Sequence, residues 1–449
     1  MIRFLGNKEF YKKLAILALP IIMQQVLYAA VQIADNLMVG QLGVSSINGV
    51  SLVNQLNFII IVITFGVMGG SGIFTAQFFG SKDYNKLKMT FKYKIQGAII
   101  LSIFGYIIFS LFGDFIISLY SSDFDTLSEG GQYLDIIRFG LLPLTVSFAI
   151  TTSFREIGVT RELLYISTFT FFIAIFLNYI LIFGAFGIPA LGVSGAAIGT
   201  VFSRYLELLM LILLIKTKKA DFRFKISNLF LISSEIRKKI NKKVIPLTFN
   251  EIFWASSQVI ILFSYSLRGE SALASINITQ SVSQIIFVIF SGLATSIAVL
   301  VGNNLGSKKL KEAENNAYRI IFSAFITASF IGLILFISAP LILDLYSIDS
   351  ISRTWSIFNI RINSIYAGLY AMGISCYFTL RSGGDVRSAV LVDSGFEWFI
   401  VIPLSLILGY LTEYNIILMF LIVKSTIFIQ LMIYARLIRK KTWIKNLTD

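Results

Sequence analysis

A chain of 449 residues that is 56% hydrophobic and 14% charged, with a mean hydropathy of +0.81, carries more apolar surface than a water-soluble core can hide. With no histidine and a single cysteine, Cys376, it has no internal disulfide and too few ligands for a zinc, haem or iron–sulfur site, so no cofactor is expected. Its net charge of +14 is spread over alternate loops, which points to membrane topology and not to a nucleic-acid partner.

Runs of about 20 apolar residues predict spanning helices, and their continuity excludes the short alternating strands of a membrane barrel. In chain order they cover 14–39, 49–79, 95–119, 131–154, 162–183, 192–215, 244–266, 273–305, 318–345, 355–380, 388–409 and 415–436. The first follows Lys8, Lys12 and Lys13; it is too long for a signal peptide and lacks a small-residue cleavage site, so it reads as a retained helix. The fold class is therefore all-α integral membrane, with twelve transmembrane helices.

Of the 38 lysines and arginines, 32 fall at the two termini or in the loops near 80–94, 154–162, 216–243, 306–319 and 381–387. The intervening loops hold only Arg268 and Arg353. By the positive-inside rule both termini lie in the cytoplasm of a multi-pass cell-membrane protein. The longest hydrophilic stretch, 216–243, carries Arg237, Lys238, Lys239, Lys242 and Lys243 and reads as a solvated linker between two domains, 1–215 and 244–449.

Those domains repeat each other at a constant offset of 226 residues. Pro20 pairs with Pro246, Gly43 with Gly269, Gly66 with Gly292, and Gly80-Ser81-Lys82 with Gly306-Ser307-Lys308. Leu119-Tyr120-Ser121 pairs with Leu345-Tyr346-Ser347, Arg155 with Arg381, Gly158 with Gly384 and Arg161 with Arg387. One offset held over such a distance marks a duplication. Each half has six helices, so the repeats are parallel, the arrangement of transporters in which one bundle rocks against the other.

Ionisable groups inside a membrane are costly and mark function or pairing. Helix 1 carries Gln24, Tyr28, Gln32 and Asp35 on one face, and helix 7 carries Glu251, Trp254 and Gln258 likewise. A carboxylate beside an aromatic ring suits an organic cation or a proton. Asp393 and Glu397, four apart on helix 11, either share a proton or cation or are neutralised by Arg387 or Lys424. Arg204 and Glu207 on helix 6 read as a local ion pair. Asn48, Ser51 and Gln55 on helix 2, and Asn277, Gln280 and Gln284 on helix 8, either line a cavity or bond helices together. No phosphate-cradling loop or Ser–His or Cys–His pair is present, so neither ATP-driven transport nor an enzyme is expected.

The order and spacing of several segments resemble the multidrug and toxic compound extrusion (MATE) family, bacterial NorM/DinF-like. They are Leu19-Pro20 with Ala34-Asp35-Asn36-Leu37-Met38-Val39-Gly40-Gln41-Leu42-Gly43, Phe79-Gly80-Ser81-Lys82, Gly192-Val193-Ser194-Gly195-Ala196-Ala197-Ile198-Gly199-Thr200, and Leu380-Arg381-Ser382-Gly383-Gly384-Asp385 followed by Trp398 and Pro403. The resemblance implies a V-shaped pair of six-helix bundles that exports bulky, often cationic compounds in exchange for H⁺ or Na⁺. It implies a monomer among membrane lipids. It makes Asp35 and Glu251 the coupling acids and has Asn178 and Thr200 help hold the cation of the N-terminal half. Two departures stand out: Ile182 or Asn178 occupies the position of a second N-terminal acid, and Tyr370 lies near that of a helix 10 acid. These lean towards protons in the N-terminal half and leave sodium open. The competing readings are a lipid-linked oligosaccharide or lipid flippase of the same superfamily, or a membrane protein that transports nothing.

Overall fold

The computed structural model describes residues 5–218, 221–344, 346 and 348–448. Arg3, Lys219 and two anchors of the repeat, Leu345 and Ser347, lie outside them. The chain forms twelve long helices: α1 Lys8–Gly40, α2 Val44–Gly80, α3 Tyr84–Ser118, α4 Phe124–Glu156, α5 Arg161–Phe183, α6 Gly192–Thr217, α7 Ser234–Ser266, α8 Glu270–Gly306, α9 Leu310–Leu343, α10 Ser350–Ser382, α11 Val386–Leu411 and α12 Ile416–Lys440. Among the described residues, 11 are long and apolar enough to cross a membrane. The remaining one, α10, has the length but carries Arg353, Arg361 and Arg381 and turns Ser352, Ser356, Asn359, Ser364, Ser375 and Thr379 inward. Its amides meet hydroxyls of α8: Asn359 Nδ2 donates to Ser275 Oγ at 3.3 Å and Asn363 Nδ2 to Ser283 Oγ at 2.6 Å. Such bonds hold helices together where lipid removes the hydrophobic drive to associate.

Several helices outrun the apolar segments that announce them. α3 starts at Tyr84, where the Asp83 side chain accepts from Lys86 N at 3.0 Å, and not at 95. α7 starts at Ser234, so the last third of the segment read as a linker, 234–243, is helical, with Lys239 reaching back to Glu235 at 3.0 Å. Hydropathy marks where a chain enters lipid, whereas capping and i,i+4 pairing decide where the helix begins. α4 is interrupted by a 3₁₀ turn at Arg138–Gly140, three residues before Pro143, whose missing N–H loosens the preceding turn.

The chain forms two compact units. One holds Leu19–Thr75 and Asp83–Thr248; the other holds Met1–Ala18, Ala76–Lys82 and Phe249–Asp449. The divisions cut α1 beside Pro20 and α7 just after Pro246, and each unit takes residues from both sides of the expected 215/244 boundary. In the first unit Val50, Val53 and Leu56 of α2 pack with Phe109, Leu134, Ile182 and Ala197. In the second, Ile261 and Tyr265 of α7 pack with Ile276, Phe396, Ile402, Met419 and Phe420. Phe104, Phe112, Phe115, Ile337 and Leu341 point outward, as helix faces in lipid require.

Within the second unit the ends of α2 and α8 meet reciprocally. A Cβ on Gly80 would overlap the carbonyl of Asn303, and one on Gly306 would overlap the carbonyl of Gln77. These two contacts interchange under the 226-residue offset. The C-terminal tail closes over this junction: Trp443 is buried, Leu447 N donates to Gln77 Oε1 at 2.7 Å, and Asn446 Nδ2 donates to Leu305 O at 2.9 Å. Gln77 Nε2 in turn donates to Ser382 O at 3.0 Å. Gly306→Ala therefore lowers the stability of the purified protein by about 1–3 kcal/mol, the usual cost of overpacking. Gly40→Ala, whose Cβ meets nothing nearer than Ile47 at 3.5 Å, leaves it unchanged. Thermal unfolding in detergent checks both.

Candidate functional site

The first unit places Asp35 in the second half of α1, where its Oδ1 accepts from Nδ2 of the fully buried Asn178 on α5 at 2.6 Å. Asn178 packs so closely on α6 that a Cβ at Gly199 would overlap its Oδ1, and that buried oxygen accepts no hydrogen bond. Asp35 also interacts electrostatically with Arg204 and Tyr133. Thr200 belongs to the same neighbourhood but turns its hydroxyl to Tyr133.

Further along α1 the polar stripe breaks into two behaviours. Gln24 is fully buried; its Nε2 donates to Ser167 Oγ at 3.1 Å and its Oε1 accepts from Arg155 Nη2 at 2.8 Å. The Tyr28 hydroxyl donates to Glu207 Oε1 at 2.8 Å. Gln32, in contrast, is exposed. Two sequence expectations change here. Glu207 accepts a hydrogen bond from Tyr28, and its near neighbour Arg204, which acts on it electrostatically but makes no salt bridge with it among the described residues, donates Nη1 to Gly140 O at 3.4 Å. Arg155 and Lys94, counted with the basic loops, are buried inside the bundle; Lys94 Nζ lies 2.5 Å from Glu156. Loop boundaries drawn from hydropathy stop short of such residues, because a paired cation is tolerated where an isolated one is not.

The second unit gathers its acids on α7 and α11. Glu251 Oε1 accepts from the Tyr377 hydroxyl at 3.3 Å and lies 3.7 Å from Arg381 Nη1. The aromatic group that touches Glu251 is thus Tyr377 of α10, which sequence reasoning did not single out. Trp254 and Gln258 share the α7 face without bonding to Glu251 among the described residues, and Gln258 Nε2 donates to Ser257 Oγ at 3.3 Å. Asn250, the residue before Glu251, donates from Nδ2 to Asp393 Oδ2 at 2.8 Å, and its Oδ1 accepts from Ser394 Oγ at 2.6 Å. Trp398 packs its ring on Phe253 and donates Nε1 to the Phe253 carbonyl at 3.0 Å. Asp393 and Glu397 sit on successive π-helical segments of α11, Leu391–Gly395 and Glu397–Val401. Neither pairs with Arg387. Gln55 on α2 and Gln280 and Gln284 on α8 are exposed and make no hydrogen bond among the described residues, so they do not bond helices together.

Asn250 carries a signal that was available in the sequence: 226 positions earlier stands Gln24, and Asp393 corresponds likewise to Ser167. The two amides make equivalent bonds to equivalent positions, 143 residues on in each case. Asn250→Leu strips Asp393 of its donor and costs about 1–3 kcal/mol. Replacing both, Asn250→Leu with Asp393→Leu, recovers much of that loss. Unfolding of the two variants against the parent decides it; equal stability of parent and single variant would contradict the pairing.

The MatE family model matches the chain twice, at residues 20–180 and 246–411. The matches begin at Pro20 and Pro246, the same 226-residue offset as the repeat. Among its relatives, an uncharacterised transporter YisQ of Bacillus subtilis is 23% identical over 394 residues, covering 87% of this chain and 86% of that protein. A probable multidrug resistance protein NorM of Halalkalibacterium halodurans is 24% identical over 404 residues, covering 90% and 88%. A multidrug resistance MATE family transporter of the MOP superfamily, solved in an outward-facing conformation, superposes with a TM-score of 0.86 at 17% identity over 96% of this chain and 97% of that one. A MOP superfamily transporter from Pyrococcus furiosus superposes equally well, with a TM-score of 0.86 at 16% identity over 95% and 96%. The doubled family match, spanning most of both halves, makes this chain a member of the MatE family of membrane transporters.

Proposed function

We propose that the protein exports organic, often cationic compounds across the cell membrane in exchange for H⁺ or Na⁺, by alternating access of its two six-helix halves, with both termini in the cytoplasm. The observation that carries this reading is that each half holds a half-buried acid on its first helix, contacted by neutral donors or an arginine of its own bundle. Asp35 has Asn178, and Glu251 has Tyr377 and Arg381. An acid so placed can take up a proton or a small cation and give it back, because neither form is locked by a tight ion pair.

Two further features support the reading. The buried Oδ1 of Asn178 lacks a donor beside Asp35, an arrangement suited to a protonated carboxyl or a bound cation. Gln32, Gln55, Gln280 and Gln284 are exposed on apolar helices. An amide at membrane depth has to meet water and not lipid, so in each half these residues suit a water-facing surface. The likeness to a probable multidrug resistance protein agrees with small-molecule export.

Ethidium efflux from proteoliposomes, under an imposed pH gradient and separately under a sodium gradient, tests this. One gradient drives efflux in the parent protein. Asp35→Asn and Glu251→Gln each abolish it while leaving the protein inserted. Full transport by both single variants would sink the assignment of the coupling acids.

A further inference from the structure

Helix α12 carries a lysine inside its apolar first half, Ile416–Ser425. Lys424 Nζ lies 4.6 Å from the centre of the Tyr370 ring and 5.3 Å from that of Phe420. It belongs to no ion pair among the described residues. The carboxylate its charge interacts with is Glu397, and the Oε2 of Glu397 is buried and accepts no hydrogen bond. Asp393, one turn earlier, is already supplied by Asn250. The backbone that carries both acids is π-helical, and widened turns of this kind are unfavourable and recur at functional sites.

The corresponding positions of the N-terminal half carry no such group. At the equivalent positions, 226 residues earlier, Ile198 stands for Lys424, Phe171 for Glu397 and Leu144 for Tyr370. A packing need common to both halves would be met alike in both, so this group of residues is an addition of the C-terminal half. Two aromatic faces with a buried, unsatisfied carboxylate oxygen are the elements that recognise an ammonium ion. Here the ammonium belongs to the chain.

We propose that Tyr370, Phe420 and Glu397 form an ammonium-binding site in the C-terminal half, filled by the side chain of Lys424 and able to take a free alkylammonium ion when that side chain is removed. The half thereby carries its own counter-cation and needs no metal ion at this position. The inference concerns binding alone and stands or falls independently of transport.

Chemical rescue tests it on the purified full chain in detergent, read by thermal unfolding. Lys424→Ala removes both the charge and the four-carbon stem. The midpoint falls, and propylammonium chloride restores it saturably, whereas sodium chloride at equal ionic strength and the neutral propanol do not. The parent protein shows no such response, and Lys424→Ala with Glu397→Gln is not rescued. If Lys424→Ala does not survive purification alone, purification with propylammonium throughout yields folded protein that unfolds when the amine is dialysed away. Lys424→Met, which keeps the stem without the charge, loses stability without being rescued. A folded Lys424→Ala protein indifferent to propylammonium would overturn the proposal. So would equal rescue by propanol or in the Glu397→Gln background, or failure to recover folded protein even with the amine present.

Discussion

A polar group inside lipid must find its partner within its own helix bundle, and the rest of this structure follows from how the chain meets that requirement. One recurring solution joins the first helix of a half to the fifth, 143 residues on: Gln24 with Ser167 and Asp35 with Asn178 in one half, Asn250 with Asp393 in the other. Each pair ties together helices far apart in sequence, and each places a titratable or amide group at a fixed depth. An unpaired carboxylate at the centre of a membrane costs about 2.5–3.5 kcal/mol on insertion scales. A neutral donor offsets part of that cost without a permanent countercharge, which is what the proposed exchange of a proton or cation requires. Arginine adds a second layer at matching positions: Arg155 binds Gln24 and Arg381 stands beside Glu251.

The halves have diverged on this shared frame. In the first, the deep partner of the α1 amide is the hydroxyl of Ser167, and the carboxylates lie at either side, on Asp35 and Glu207. In the second, the serine position has become Asp393, and Glu397 and Lys424 join it on α11 and α12. Duplication thus preserved the hydrogen-bond geometry and changed the charge carried on it. The two bundles offer chemically different sites behind similar helix packing.

Most of the fold is legible in the residues themselves. Eleven of the twelve helices stand out as strongly apolar runs, α10 being more polar, and the repeat follows from Pro20 with Pro246 and Gly80-Ser81-Lys82 with Gly306-Ser307-Lys308. Helix ends are less legible: Tyr84 and Ser234 begin helices outside the apolar stretch, because caps and salt bridges set them. In the candidate site the acids were legible and their partners were not. Asp35 and Glu251 stand out by being charged in lipid, but Asn178 was reached only through a family likeness, Asn250 is marked only by its repeat correspondence to Gln24, and Tyr377 looks like an ordinary helix residue until tertiary packing brings it up. Burial of Lys94 and Arg155 was hidden for the same reason, since hydropathy counts a cation as solvent-facing whether or not it is paired. The π-helical turns of α11 have no sequence signature at all; they are visible only as backbone.

The central claim is that binding of an organic cation and release of a coupling ion are two readings of the same acids. Ion release on ligand addition measures it without a membrane gradient. Purified protein in weakly buffered detergent solution is mixed with ethidium, with protons followed by a pH dye and sodium by an ion-selective electrode. The account predicts release of one of the two ions, saturating with ethidium binding and reduced in Asp35→Asn and in Glu251→Gln. Saturable ethidium binding that displaces neither ion, or an undiminished release in both variants, would contradict it.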